Sequence, residues 1–133
     1  MEPWRLWLAM ALEAHRAARA AEQLQLWRSS VSRYYYAAFS ATSAVLLYSG
    51  LIPPVDEEAW SHAQTPEMIR EHYGRFVKSR DKRNRLSSDL SDLYKLRIYA
   101  DYRCRERVDN RVVEARKRSS HVIKVSLDIL PAE

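Results

Sequence analysis

Apolar side chains recur every three or four residues along this chain and nowhere alternate with polar ones over a strand-length run, so the pattern predicts helices throughout. The first stripe, Trp4, Trp7, Ala11, Ala14, Ala18 and Ala21, lies in an Ala-rich stretch opened by Pro3 and gives a helix over 3–24. A second helix, 26–49, carries two overlapping stripes. One is Trp27, Val31, Tyr34, Ala38, Ala41 and Val45; beside it run Tyr35, Phe39, Thr42 and Leu46. Two stripes require burial on more than one side, and the small residues among them, Ala37, Ser40, Ser43 and Ala44, let neighbouring helices approach closely. Gly50 is placed to end this helix.

Residues 50–64, with Pro53, Pro54 and the acidic run Asp56, Glu57, Glu58, form the one long connection. Thr65, Pro66 and Glu67 then read as an N-cap, a first-turn proline and a first-turn acid, opening a third helix that runs to Lys78. Arg80 to Arg85 reads as a charged link, and Gly74 inside the third helix as a point of close packing. Leu86, Leu90, Leu93 and Tyr94 share a face of a fourth helix, 86–103; Val108, Val112, Ala115, Ser119, Val122 and Ile129 mark a fifth, 107–130. The expected fold is all-α, an antiparallel bundle of four to five helices in one domain over 1–133. A bundle of this size with so wide an aromatic helix often completes its core by pairing with a copy of itself, so a homodimer is expected.

Composition narrows the chemistry. Two glycines among 133 residues argue against Rossmann or sandwich designs, and one cysteine, Cys104, excludes an internal disulfide and a Cys-based zinc site. His15, His62, His72 and His121 share no metal-ligand spacing, and no Gly-rich phosphate loop occurs, so no metal or other cofactor is expected. The N-terminus lacks a basic segment followed by a continuous apolar run, as a signal peptide would need. Tyr34 to Val55 is uncharged and long enough to span a bilayer. Its serines, its Pro53–Pro54 pair and its scattered tyrosines instead fit a buried central helix, so a cytoplasmic protein with no membrane partner is expected.

The charge is unevenly placed. Residues 1–64 hold five basic and six acidic side chains, whereas 65–133 hold seventeen and eleven, so any anionic partner belongs to the second half. Arginine supplies seventeen of the twenty-two cations, and its planar fork suits phosphate and carboxylate. Two groups of residues break the core pattern. The line Leu86, Leu90, Leu93 continues at the same spacing into Arg97 and Asp101, either an ion pair at a helix end or an arginine facing an anion. Arg33 precedes Tyr34, Tyr35 and Tyr36, which point about 100 degrees apart on a helix, so at least one ring must leave the shared face. That ring is either further core or a stacking surface beside Arg33.

Several of these strings resemble the small prokaryotic HEPN domain proteins. They are Val31-Ser-Arg-Tyr-Tyr-Tyr-Ala-Ala-Phe39, then Leu47 to Gly50, then Ser61-His62 before an amphipathic helix, then Leu96-Arg97-x-x-Ala100-Asp101-Tyr102. The resemblance implies a helical bundle, commonly a homodimer, that partners a minimal nucleotidyltransferase in toxin–antitoxin or other defence systems. It points to Arg33, Tyr36, His62, Arg97, Asp101 and Tyr102 as the residues that would line a nucleotide- or RNA-binding pocket, with His62 closing it from the loop. Arg103, Arg105, Arg107 and Arg111 are further phosphate candidates. Some family members are metal-independent ribonucleases that carry an Arg, four to six residues and a His. The fourth helix offers no such His after Arg97, and the one match, Arg116 to His121, falls in the last helix. Those two are the catalytic candidates of a ribonuclease alternative; a third reading is a structural module that only docks another protein.

Overall fold

The computed structural model describes residues 2–132, and its order is helix after helix. They are α1 (Pro3–Gln23), α2 (Trp27–Tyr48), α3 (Thr65–His72), α4 (Arg80–Tyr102) and α5 (Val112–Ile129), with single 3-10 turns at Tyr73–Arg75 and Asp109–Arg111. No strand occurs among the described residues, and the fold is the expected all-α bundle of packed helices.

α2 is the axis of the bundle, packed against α1, α3, α4 and α5. Both of its predicted stripes are buried from Val31 to Leu46, and Tyr34 and Tyr35 are fully enclosed. Small side chains make this possible: Ala11 of α1, Ala37 and Ala41 of α2 and Ile123 of α5 form one close contact where three helices meet. Two buried serines lock the arrangement through backbone carbonyls, Ser30 to Ala18 at 2.9 Å and Ser119 to Tyr34 at 2.8 Å. Of the uncharged stretch Tyr34 to Val55, the helical part up to Leu46 is therefore core, and the part after Gly50 is loop with Ile52 and Val55 at the surface. No helix among the described residues is long and apolar enough to cross a membrane.

Helix ends follow local chemistry. Gly50 takes φ 95°, its N–H donates to the Leu47 carbonyl at 3.0 Å and that of Leu51 to Leu46 at 3.3 Å, the paired bonds of a Schellman stop. The α1–α2 turn uses the same pair of bonds, Gln25 to Glu22 and Leu26 to Ala21, but places Gln25 at φ 60°, where a Cβ is disfavoured.

Four boundaries differ from the sequence reading. The Arg80–Arg85 run is not a link but the opening of α4: the Ser79 hydroxyl accepts from the Lys82 N–H at 3.3 Å, Asp81 sits in the first turn, and Arg and Lys are good helix formers. Thr65 is not a cap but the first helical residue; its hydroxyl donates to the Ser61 carbonyl at 2.7 Å, and the Ser61 hydroxyl accepts the Gln64 N–H at 3.2 Å. α3 stops at His72, because Tyr73 turns into the core, and α5 starts at Val112 after the short turn. Close packing does not account for Gly74, since a Cβ there would meet only the end of Arg83 at 3.9 Å.

Candidate functional site

At the far end of α4 the interrupted apolar line becomes a cluster. Arg97 has a side chain only 13% exposed. Its Nη2 donates to the Tyr36 hydroxyl at 2.8 Å and its Nε lies 3.0 Å from Asp101 Oδ2. The guanidinium sits 5.3 Å from the Tyr36 ring centre and 5.4 Å from that of Tyr102. Asp101 in turn accepts from the Ser32 hydroxyl at 3.2 Å, which ties the end of α4 to α2. Burial alone would lower the Arg97 pKa, but Tyr36, Tyr102 and Asp101 outweigh it and hold the cation more firmly than usual.

The structure thus joins Tyr36, Arg97, Asp101 and Tyr102, as the spacing Arg97 to Asp101 allowed. Tyr102 is 68% exposed, so the cation is flanked by one half-buried ring and one open ring. Arg33 stands next to this group, exposed, in a groove it shares with Tyr36, Glu13 and Met10 of about 390 Å³. No ion pair or hydrogen bond engages its guanidinium among the described residues.

His62 is placed differently from a closing residue. It is half-buried in an aromatic layer, 4.3 Å from the Phe39 ring centre and stacked at 6.0 Å on Tyr94, with Tyr35 and Tyr36 alongside. Its Nδ1 is 2.6 Å from the Tyr35 hydroxyl. Burial pushes the Tyr35 pKa up, so the phenol keeps its proton; it donates to Nδ1 in one imidazole tautomer and accepts from Nδ1–H in the other. Burial first, and the charge of Arg97 second, pull the His62 pKa below its ordinary 6.5. The folded ring therefore refuses a proton that the unfolded chain accepts, and the stability it confers is lost as pH falls through 6.5. His15, lowered by burial and by Arg19, acts in the same direction. Thermal melts from pH 7.5 to 5 should show stability falling with acidification, and His62→Gln should flatten part of that slope. An unchanged slope would separate His62 from it.

The two residues of the Arg-x4-His spacing do not meet within one chain. Five positions along a helix place them about 140 degrees apart. Arg116 is held on the α1 side by Glu22, which also accepts from the Tyr34 hydroxyl at 2.7 Å. His121 is held on the α4 side, its Nδ1–H donating to Asp89 Oδ2 at 2.7 Å. Asp89 also accepts from Arg118 Nη1 at 2.8 Å. His121 and Arg118 share a carboxylate that the spacing rule did not include, and a search for i, i+3 pairs on α5 would have linked them.

The arginine-rich segment after α4 is partly spent on structure. Arg107 pairs with Asp109 at 2.9 Å and Arg111 with Glu114 at 3.6 Å, whereas Arg103 and Arg105 are exposed. Its organiser is a residue the sequence did not mark. Arg28 donates to five carbonyls, those of Tyr99, Ala100 and Arg103 from Nη1 and those of Cys104 and Glu106 from Nη2. No set of three or more His, Cys, Asp or Glu side chains converges as a metal site among the described residues. Compared with known proteins, the chain matches no family model and no curated protein.

Proposed function

We propose that this chain is a HEPN-like helical domain that binds a nucleotide or RNA segment and acts as the partner of a minimal nucleotidyltransferase in a toxin–antitoxin or defence system, as a homodimer in the cytoplasm. The observation that carries the binding half is the open Tyr102 ring beside a guanidinium fixed by Tyr36 and Asp101. A flat cation next to an exposed aromatic face is a surface on which a base stacks without sequence preference, and the unpaired Arg33 nearby supplies a phosphate contact. Arg97 is already neutralised by Asp101, so it orients the platform, and His62 stiffens the tyrosine layer beneath it. The separation of Arg116 from His121 supports a binding role over a hydrolytic one within a single chain.

Tyr102→Ala tests this directly, because the ring is exposed and its loss leaves the core intact. Removing one base–aromatic stack costs about 1–3 kcal/mol, so affinity for a labelled oligouridylate should fall between about fivefold and more than a hundredfold, with helicity unchanged by circular dichroism. Undiminished binding would sink the platform. The docking-module alternative draws on the loop between α2 and α3, where Ile52 and Val55 are 87% and 89% exposed. Capture of a nucleotidyltransferase by the wild type but not by the double variant Ile52→Asp, Val55→Asp would assign the partner to that loop.

A further inference from the structure

The cations of the second half do not all end in ion pairs. Arg97, Arg107, Arg116 and Arg118 each lie against a carboxylate. The side chains of Lys78, Lys82, Arg85 and Lys124 have no ion pair or hydrogen bond among the described residues, and all four line one groove of about 910 Å³. It runs between the segment leading into α4, the first turns of α4, and α5. Lys82 and Arg85 are one turn apart on α4, facing Lys124 and His121, one turn apart on α5. Arg75 stands at one end, its guanidinium 4.6 Å from the Phe76 ring centre, and Asp128 is the one carboxylate in the lining. The floor is apolar, from Phe76, Leu86 and Val125.

Like charges gathered around one groove repel each other and raise the energy of the empty protein, unless an anion supplies the missing counter-charge. An apolar floor under a cationic rim adds a second requirement, that the anion also carry a flat or apolar body. The groove is open at its far end: at Arg85 and His121 it meets a second groove of about 580 Å³ that continues between α4 and α5 past Lys117. Asp89 and Glu114 in that continuation offset two of its three cations, Arg85, Lys117 and Arg118, so the positive field is concentrated in the first groove. Continuity through that end fits a chain with repeating phosphates better than one compact ligand.

We infer that this groove holds the phosphate backbone of a single-stranded nucleic acid, with Lys78, Lys82, Arg85 and Lys124 on the phosphates and a base or sugar against the apolar floor. It is separate from the Tyr102 platform, since Arg85 and Arg97 are about 18 Å apart along α4 at 1.5 Å per residue. It does not depend on that platform binding anything.

The test is fluorescence anisotropy with labelled oligouridylate across a salt series, comparing the full chain with Lys82→Gln, Arg85→Gln, with Arg16→Gln, Arg19→Gln as a control of equal charge change on α1, and with Tyr102→Ala. All four altered cations are exposed, and circular dichroism confirms each fold. With roughly 0.7 of a logarithmic unit per single-strand phosphate contact, four cations predict a slope of about −3, and the groove variant should lower it by about 1.4 and weaken binding at least about tenfold. The α1 control should keep both slope and affinity. Loss in the groove variant with Tyr102→Ala unaffected supports the groove and removes the platform; loss in Tyr102→Ala with the groove variant unaffected does the reverse. Equal loss in the α1 control would overturn the groove by making the attraction one of net charge alone. Displacement of the strand by an equimolar nucleoside triphosphate would overturn it too, in favour of a free nucleotide.

Discussion

Arg28→Ala is expected to free the segment between α4 and α5 and to lower the stability of the whole bundle by about 3 kcal/mol. The last carbonyls of a helix have no partner within it and carry the negative end of its dipole. Here Arg28, from the first turn of α2, covers that end of α4. It donates to Tyr99 at 2.9 Å, Ala100 at 3.0 Å and Arg103 at 3.1 Å, then to Cys104 at 3.1 Å and Glu106 at 2.5 Å. Each charge-assisted bond would be worth about 1.5–3 kcal/mol alone, but five bonds from one guanidinium share a single charge and one desolvation cost, so their sum overstates the loss. Arg28→Lys keeps the charge without the planar fork, so it should recover less than half of the stability. Trypsin gives the clearest local readout, because Arg103, Arg105 and Arg107 lie in the segment that Arg28 organises. Cleavage there should accelerate in both variants while sites within α2 stay protected. If those bonds are cut no faster than in the wild type, the five carbonyl contacts do not hold the segment. The same variant should weaken binding at Tyr102, since Tyr99 and Ala100 belong to the turn that carries it.

What was legible beforehand follows from how far a contact reaches along the chain. Periodicity located every helix, and both buried stripes of α2, because each stripe is a local repeat. The Arg97–Asp101 pair was visible for the same reason, four positions on one helix. Arg28 was not, since its acceptors lie more than seventy residues away and are backbone atoms with no sequence signature. The opening of α4 was misread because a dense charged run looks like a linker, whereas Ser79 caps it and arginines and lysines extend a helix readily. Arg33 and His62 show the limit of a motif. The first does stand beside Tyr36 at the surface, but the second is drawn into an aromatic layer by Tyr35 and Phe39 of α2 and Tyr94 of α4, a packing between helices that no spacing encodes. The groove cations were visible only as an excess of charge in the second half, and it took the meeting of α4 with α5 to separate unpaired cations from paired ones.

Asp89→Ala is expected to cost about 2–3 kcal/mol, somewhat below the roughly 3–5 kcal/mol of a fully buried pair broken on one side. Asp89 is 5% exposed, with Oδ1 accepting from Arg118 at 2.8 Å and Oδ2 from His121 at 2.7 Å. Removing it strands two donors, but Arg118 retains Asp92 at 3.1 Å and Glu114 at 3.6 Å, and both it and His121 keep access to water, which lowers the penalty. Asp89→Asn distinguishes charge from shape: its amide oxygen can still accept from Arg118, and its NH2 can donate to His121 once the imidazole presents Nδ1 as acceptor, so the loss should be about 1 kcal/mol. The decisive variant replaces the whole network, Asp89→Leu with Arg118→Met and His121→Phe. If the cost of Asp89→Ala comes from stranded polar groups, chemical denaturation should place this triple variant nearer the wild type than the single one, because no donor is left buried without its acceptor. A triple variant less stable than Asp89→Ala would show instead that the carboxylate fixes how α4 and α5 pack. In that case Asp89 would also set the width of the groove that His121 lines, and oligouridylate binding should fall in Asp89→Ala although the carboxylate itself repels phosphate.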